Sequence, residues 1–277
     1  MPALRPGIPF ADYLKIEAVN WSKLKWMDVS PLHYHHHLHD PDDHDTPARR
    51  LGRATHTLAL DPARFEAEYA VFDGERRAGA EWKSFAAANA DRDILKANEL
   101  DEAHAIAHAV QTHPVLAPYR EGARYEMTAT WTDKATGLRC KARPDWLVPG
   151  VLLDLKTTTT LDGRRFGNLA ARMGYHCQLA HYKAGVEACG HPVDRVVLVA
   201  VESAAPYDVA VFELDGDALQ AGREKVDELL ARLAECQASG QWPGRYEAER
   251  ALELPFYVFA DDNDAEDLGV SFNEETA

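Results

Sequence analysis

Three side chains in the middle of the chain have the types and the spacing to do chemistry. Arg143-Pro144-Asp145-Trp146-Leu147-Val148 is a largely apolar run, and Val151-Leu152-Leu153-Asp154-Leu155-Lys156-Thr157 is a second. Pro149-Gly150 between them reads as a turn. Asp145 interrupts the first run, and Asp154 and Lys156 interrupt the second. Charges inside buried β-type sequence are unfavourable unless something pairs with them. A divalent cation would. Alternation puts Asp154 and Lys156 on one face of one strand. Hard cations want oxygen ligands, so Asp145, Asp154 and a backbone carbonyl such as that of Leu155 suit Mg²⁺, with Mn²⁺ as a substitute. Lys156 can orient or help deprotonate an attacking water, or stabilise developing charge. This set would perform metal-assisted hydrolysis of a phosphodiester. Glu126 could complete a second metal site. Thr157 to Thr160, with Arg164 and Arg165, lie just beyond and could hold phosphates. An isolated Asp-x-Lys, or an isolated Pro-Asp before an aromatic residue, is a common accident. Both together, in a strand–turn–strand setting, are much less so.

The elements that must position these residues can be read around them. Arg124–Trp131 alternates like a strand, Asp133–Gly137 is a turn, and Leu138–Val148 and Val151–Thr157 are the next strands, which predicts a meander. A meander can bring Glu126 beside Asp145. Asn168–Cys189 has helical apolar spacing, and Gln178 and Tyr182, four apart, share a face. Arg195–Ser203 is nearly continuous apolar sequence, hence a strand covered on both faces. Tyr207–Leu214 should pair with it, and a helix capped by Asp215 or Asp217 runs to Ser239. Upstream, helices are expected after Ser22, over Arg49–Leu60, over Glu81–Leu95 and over Glu99–Thr112. The histidine-rich stretch from His33 to His39 reads as a polar loop, because contiguous histidines cannot all point at one ion. His104 and His108 belong on a solvated helix face. His56, taken from its own segment, reads as a packed core histidine.

The chain has 277 residues, 46% hydrophobic and 27% charged, ordinary for a globular protein. A formal net charge of −15 argues at first against a nucleic-acid partner. Asp261–Ala277, however, carries seven acidic residues and no Lys or Arg, and setting it aside takes the charge from −15 to −8. That tail, residues 261–277, is expected to be disordered. We expect residues 1–260 to form one domain, with 1–120 mostly helical and 121–240 as the core. Four cysteines, Cys140, Cys177, Cys189 and Cys236, are widely spaced, which fits neither a disulfide framework nor a metal cluster. Reduced thiols, no apolar run near the roughly 18 residues needed to span a bilayer and no signal-peptide pattern together suggest a cytoplasmic location away from membranes.

With those residues in place, a resemblance follows. Asp145…Asp154-Leu155-Lys156 resembles the signature of the PD-(D/E)xK nuclease superfamily. Gln178-x-x-x-Tyr182 is similar to the motif that follows it in the RecB-like and lambda-exonuclease-like branch. Gly52-Arg-Ala-Thr-His56 resembles the upstream Gly-x-x-x-His motif. Ser22-Lys-Leu24, Ser30-Pro31-Leu-His33-Tyr34 and Leu60-Asp61-Pro62…Phe65 are similar to the exonuclease VIII (RecE)-like group. The resemblance covers about residues 10–250. It implies an α/β, three-layer restriction-endonuclease-like core, a mixed central sheet flanked by helices, with an N-terminal helical region. It also implies Mg²⁺-dependent, 5′ to 3′ digestion of double-stranded DNA ends, a homo-oligomeric ring and a single-strand annealing protein as partner. The setting would be recombination or repair, often phage-derived. Carried over residue by residue, Asp145 and Asp154 would be metal ligands and Lys156 catalytic. Leu155 would give a carbonyl ligand, Glu126 would serve a second metal, and His56 would lie beside the metals. Gln178 and Tyr182 would support the site or its DNA contacts. In a ring, Arg49, Arg50, Arg53, Arg139, Lys141, Arg143, Arg164 and Arg165 could face a channel despite the acidic total. A structure-specific or restriction-like endonuclease with the same core is the alternative, and a non-enzymatic DNA-binding protein ranks last.

Overall fold

The computed structural model describes residues 1–39 and 46–254, so the acidic tail and part of the histidine-rich stretch lie outside the described residues. The chain begins with strand β1 (Ala3–Arg5) and helices α1 (Phe10–Lys15), α2 (Trp21–Leu24), α3 (Trp26–Val29), α4 (Pro31–His39) and α5 (Pro47–Leu60). Then come α6 (Phe65–Glu68), β2 (Tyr69–Phe72), α7 (Gly79–Ala88), β3 (Asp93–Lys96) and α8 (Ala97–Thr112). Next are β4 (Arg124–Tyr125), β5 (Thr128–Thr132), β6 (Arg139–Ala142), β7 (Trp146–Val148) and β8 (Gly150–Thr158). The last elements are α9 (Gly163–Met173), α10 (Tyr175–Ala188), β9 (Val193–Glu202), β10 (Val209–Glu213) and α11 (Gly216–Ser239).

Five strands form a sheet in the order β10-β9-β8-β7-β4. β8 and β9 are parallel and the other neighbours antiparallel, so the sheet is mixed. The β9 residues 196–201 read Val-Val-Leu-Val-Ala-Val, and all are buried. Such a run belongs on an interior strand with helices on both faces. Val197, Val199 and Val201 pack with Leu60, Ile106 and Val110 of α5 and α8. Val196, Leu198 and Ala200 pack with Phe166, Leu179 and Val186 of α9 and α10. Each such side chain contributes roughly 1.5–3 kcal/mol on burial. The result is the helix–sheet–helix α/β architecture expected from the sequence. Helix α11 lies against α10, where a Cβ at Gly222 would come within 2.4 Å of the His176 carbonyl.

Four expectations need correction. The meander is not one sheet. β4 pairs with β7 in the central sheet, whereas β5 pairs with β6 on one side and β1 on the other in a second sheet. Helix α7 stops at Ala88, and Asp93–Lys96 forms β3, paired in parallel with β2. There the Asn89 side chain donates to the Phe85 carbonyl at 2.8 Å, the local competition that ends helices at Asn. The described part of the histidine-rich stretch, to His39, is helical. Ser30 Oγ accepts from the His33 N–H at 3.2 Å, Tyr34 is buried, and His37 stacks on Trp26 with ring centres 3.8 Å apart. Last, the helix expected over Asn168–Cys189 is two helices. Gly174 between them takes φ +68, which favours glycine.

Candidate active site

The two breaks in the expected meander face each other, and the site lies at this crease. Glu126 separates β4 from β5, and Arg143-Pro144-Asp145 separates β6 from β7. Pro144 cannot donate to a ladder. Glu126 adopts φ +50, uncommon for any residue but glycine. Its N–H donates to the Asp145 carbonyl at 2.9 Å, which holds the two breaks together.

Around this crease the side chains converge. His56, from α5, places Nδ1 3.5 Å from Asp145 Oδ2. One ligand atom from each of His56, Glu126 and Asp145 lies within 4.8 Å of the other two. The Leu155 N–H donates to Asp145 Oδ2 at 2.9 Å. Asp154 is fully buried, and the Lys156 ammonium contacts its Oδ2 as an ion pair. Asp154 Oδ1 is buried with no hydrogen-bond donor. Such an orphaned carboxylate oxygen is costly. A hard cation is a chemical partner that fits it and the carboxylates of Asp145 and Glu126.

The electrostatics agree. Burial, and then the Asp154 charge, push the Asp145 carboxyl well above its ordinary value. Burial and the Lys156 charge lower His56, which leaves a neutral ring able to ligate. Burial disfavours the Lys156 ammonium, but Asp154 and Asp145 outweigh it and hold the group above its ordinary value. Lys156 is therefore a cation in this setting. Its Nζ lies 5.1 Å from the centre of the Tyr175 ring.

The structure thus brings together His56, Glu126, Asp145, Asp154, Leu155 and Lys156. Gln178 and Tyr182 stand behind them on α10, with Gln178 Nε2 donating to the Tyr182 hydroxyl at 2.9 Å. Burial raises Tyr182 well above its ordinary value, and the charges of Asp154 and Asp145 add to this. Arg164 and Arg165 are exposed on the first turn of α9, and no hydrogen bond or ion pair links them to the cluster. Lys141 and Arg143 do not face a channel. They are 4% and 6% exposed and bind inward. Of two further contributors, Arg143 was expected in another role and Tyr175 went unnoticed in the sequence. Arg143 pairs with Glu126. Tyr175 was recoverable, because it sits three residues before Gln178 and seven before Tyr182, on the same helical face.

Comparison with known proteins fits this geometry. The model of a family described as "PDDEXK-like domain of unknown function (DUF3799)" matches residues 20–253, most of the chain. The chain belongs to this family. The PDDEXK-like assignment agrees with the Asp145…Asp154-Leu155-Lys156 signature and with the mixed sheet that carries it. Among solved structures, the PDDEXK-like chain is similar to a "Putative exonuclease" from Eubacterium rectale at 15% identity and a TM-score of 0.59. That match covers 92% of this chain and 99% of the other, and at this identity it shows the fold. SSO0001 aligns at 16% identity over 87% of this chain and 90% of its own, with a TM-score of 0.31, too low to carry an argument. No curated protein matches. Family, fold and assembled acidic cluster together make this PDDEXK-like protein a nuclease, a phosphodiester hydrolase. Among the described residues no helix is long and apolar enough to cross a membrane.

Proposed function

We propose that the protein is a Mg²⁺-dependent exodeoxyribonuclease that degrades linear double-stranded DNA from its ends, 5′ to 3′. The observation that carries the metal centre is the buried Asp154 carboxylate, lacking a donor at Oδ1, beside the convergent ligand atoms of His56, Glu126 and Asp145. Asp145, Asp154, Glu126, His56 and the Leu155 carbonyl would hold the metal. Bound there, Mg²⁺ or Mn²⁺ would polarise the phosphate and make a hydroxide available at neutral pH. The chain's own groups do the rest. The Leu155 N–H orients the Asp145 carboxylate toward the crease. Neutral His56 presents a ring nitrogen beside it. Lys156, whose ammonium pairs with Asp154, stands where it could orient or help deprotonate an attacking water, or stabilise negative charge as the phosphate oxygen departs. Tyr175 limits where that ammonium can go. Gln178 and Tyr182 support the site from α10, and Arg164 and Arg165 are exposed where DNA phosphates could reach them.

Action on DNA ends is supported by the RecE-like sequence pattern and by the name of the Eubacterium rectale neighbour. A ring-shaped oligomer, a single-strand annealing partner, a role in phage-related recombination or repair and a cytoplasmic location belong to the same reading. The test is digestion of end-labelled linear duplex against covalently closed circular duplex, with Mg²⁺ and with chelator. Loss of linear DNA alone, abolished by chelator, is the expected outcome. Cleavage of the closed circle would select the endonuclease reading instead.

A further inference from the structure

Arg143 is a charged residue buried almost completely, at 6% exposure. Its Nε donates to Glu126 Oε2. Its Nη1 donates to the Ile8 carbonyl at 2.7 Å. The guanidinium lies 5.9 Å from the Phe10 ring centre and 5.8 Å from that of Tyr13. Arg143 thus spans the space between the crease and an N-terminal arm. That arm is tied down independently. β1 pairs with β5, and Lys141 Nζ donates to the carbonyls of Tyr13 at 2.8 Å, Leu14 at 3.2 Å and Ile16 at 2.8 Å, at the end of α1. These residues precede the family-matched region, which begins at residue 20.

We propose that Arg143, anchored by the Ile8 carbonyl and the Phe10 and Tyr13 rings, is a positioning residue that holds the Glu126 carboxylate in the metal cluster, so that the N-terminal arm is part of the active site. The inference rests on Glu126 being a metal residue. Glu126 is the one member of the cluster with φ +50, at a break between strands, and no ladder fixes its side chain. Arg143 reaches Glu126 and Ile8 from two different nitrogens, Nε and Nη1, held apart in one plane, a geometry the single ammonium of a lysine does not reproduce. A charge effect and a positioning effect have opposite signs here. Removing a cation beside a metal site strengthens metal binding by Coulomb's law. Removing the group that orients a ligand weakens it.

The experiment measures Mn²⁺ affinity by electron paramagnetic resonance of free Mn²⁺, on full-length protein without DNA. Arg143→Lys and Arg143→Ala are made in the wild-type and the Glu126→Gln backgrounds, and Phe10→Ala in the wild type. Phe10 is 46% exposed, so its truncation should cost the fold little. We expect Glu126→Gln to weaken Mn²⁺ roughly tenfold or more. Both Arg143 variants should weaken it about fivefold or more in the wild type, with no further loss in the Glu126→Gln background. Phe10→Ala should weaken it about twofold, and it reports on the arm even if Arg143→Ala fails to fold. Arg143 variants that bind Mn²⁺ as tightly as wild type, or more tightly, or that lose affinity equally in both backgrounds, would overturn the proposal. An unchanged affinity in Glu126→Gln alone would instead overturn the assignment of Glu126 to the metal.

Discussion

β8 and β9 lie side by side in parallel, with Asp154 opposite Leu198 and Lys156 opposite Ala200. Both strands are buried under the same helices, yet they use burial in opposite ways. On β9, six consecutive apolar side chains fill both layers of the core. On β8, the same kind of backbone carries a fully buried carboxylate with an orphaned oxygen and a cation held to it. β9 is what a sheet interior looks like when only folding matters. β8 departs from it at the positions where chemistry needs charge in a desolvated place. Local departures of this kind are where a functional site is expected to conflict with the rules of folding.

Exchanging what the two strands do gives the largest expected effects. Asp154→Asn on β8 should lower the nuclease rate by roughly 10²–10³-fold or more, since the buried anion is lost from the cluster. A Mg²⁺-dependent assay on linear duplex reads this directly, and wild-type activity would break the contrast. Leu198→Ala on β9 should do the reverse. It should cost about 2–5 kcal/mol of stability in urea unfolding, while the rate per folded molecule stays near wild type. A rate loss as large as that of Asp154→Asn would show that the strands do not divide the work.

The metal should sharpen the same contrast. If β8 carries an unpaired buried anion, divalent cations should stabilise the fold, by about 2.7 kcal/mol at a hundred times the dissociation constant. Thermal unfolding with and without Mn²⁺ measures this. The gain should persist in Leu198→Ala and vanish in Asp145→Asn.

The smallest effect concerns a buried polar group with no part in the chemistry. His181 is fully buried, its Nδ1 has no partner, and its Nε2 lies 3.2 Å from the Lys141 carbonyl. Burial lowers its imidazole from 6.5 to about 4. The unfolded chain then takes up a proton between these values that the folded chain refuses, so stability is full above pH 6.5 and falls as pH drops toward 4. Between pH 7 and 5 this one group should account for about 1–2 kcal/mol of loss. Denaturant titrations at both pH values should show His181→Gln losing less than wild type. An equal loss would remove His181 from the acid response.

Much of this contrast was legible in the sequence, because it lives in the period-two pattern. Alternation placed Asp154 and Lys156 on one face, and the continuous run of β9 marked a covered strand. The Gly52-to-His56 motif brought in a residue that its own helix would have left as core. What stayed hidden was long-range or conformational. Glu126 breaks a strand by a backbone angle that no residue type announces, and Pro144 was read as part of a run because its neighbours are apolar. The contact of Arg143 with Ile8 joins positions 135 residues apart, beyond any local pattern. Gly174 and Asn89 were missed breaks with local signals: glycine is suited to φ +68 between two helices, and asparagine competes for the helix backbone. The histidine run hid its own N-cap, Ser30 before Pro31, behind unusual composition.

The central claim is that the crease between the two sheets is a metal-dependent nuclease centre served by Lys156. It is tested most directly by single-turnover cleavage of 5′-labelled linear duplex at saturating Mg²⁺, comparing wild type with Lys156→Ala. Loss of roughly 10²–10³-fold or more, with Mn²⁺-induced stabilisation retained or increased, is the expected result. Cleavage by Lys156→Ala at the wild-type rate would contradict the claim.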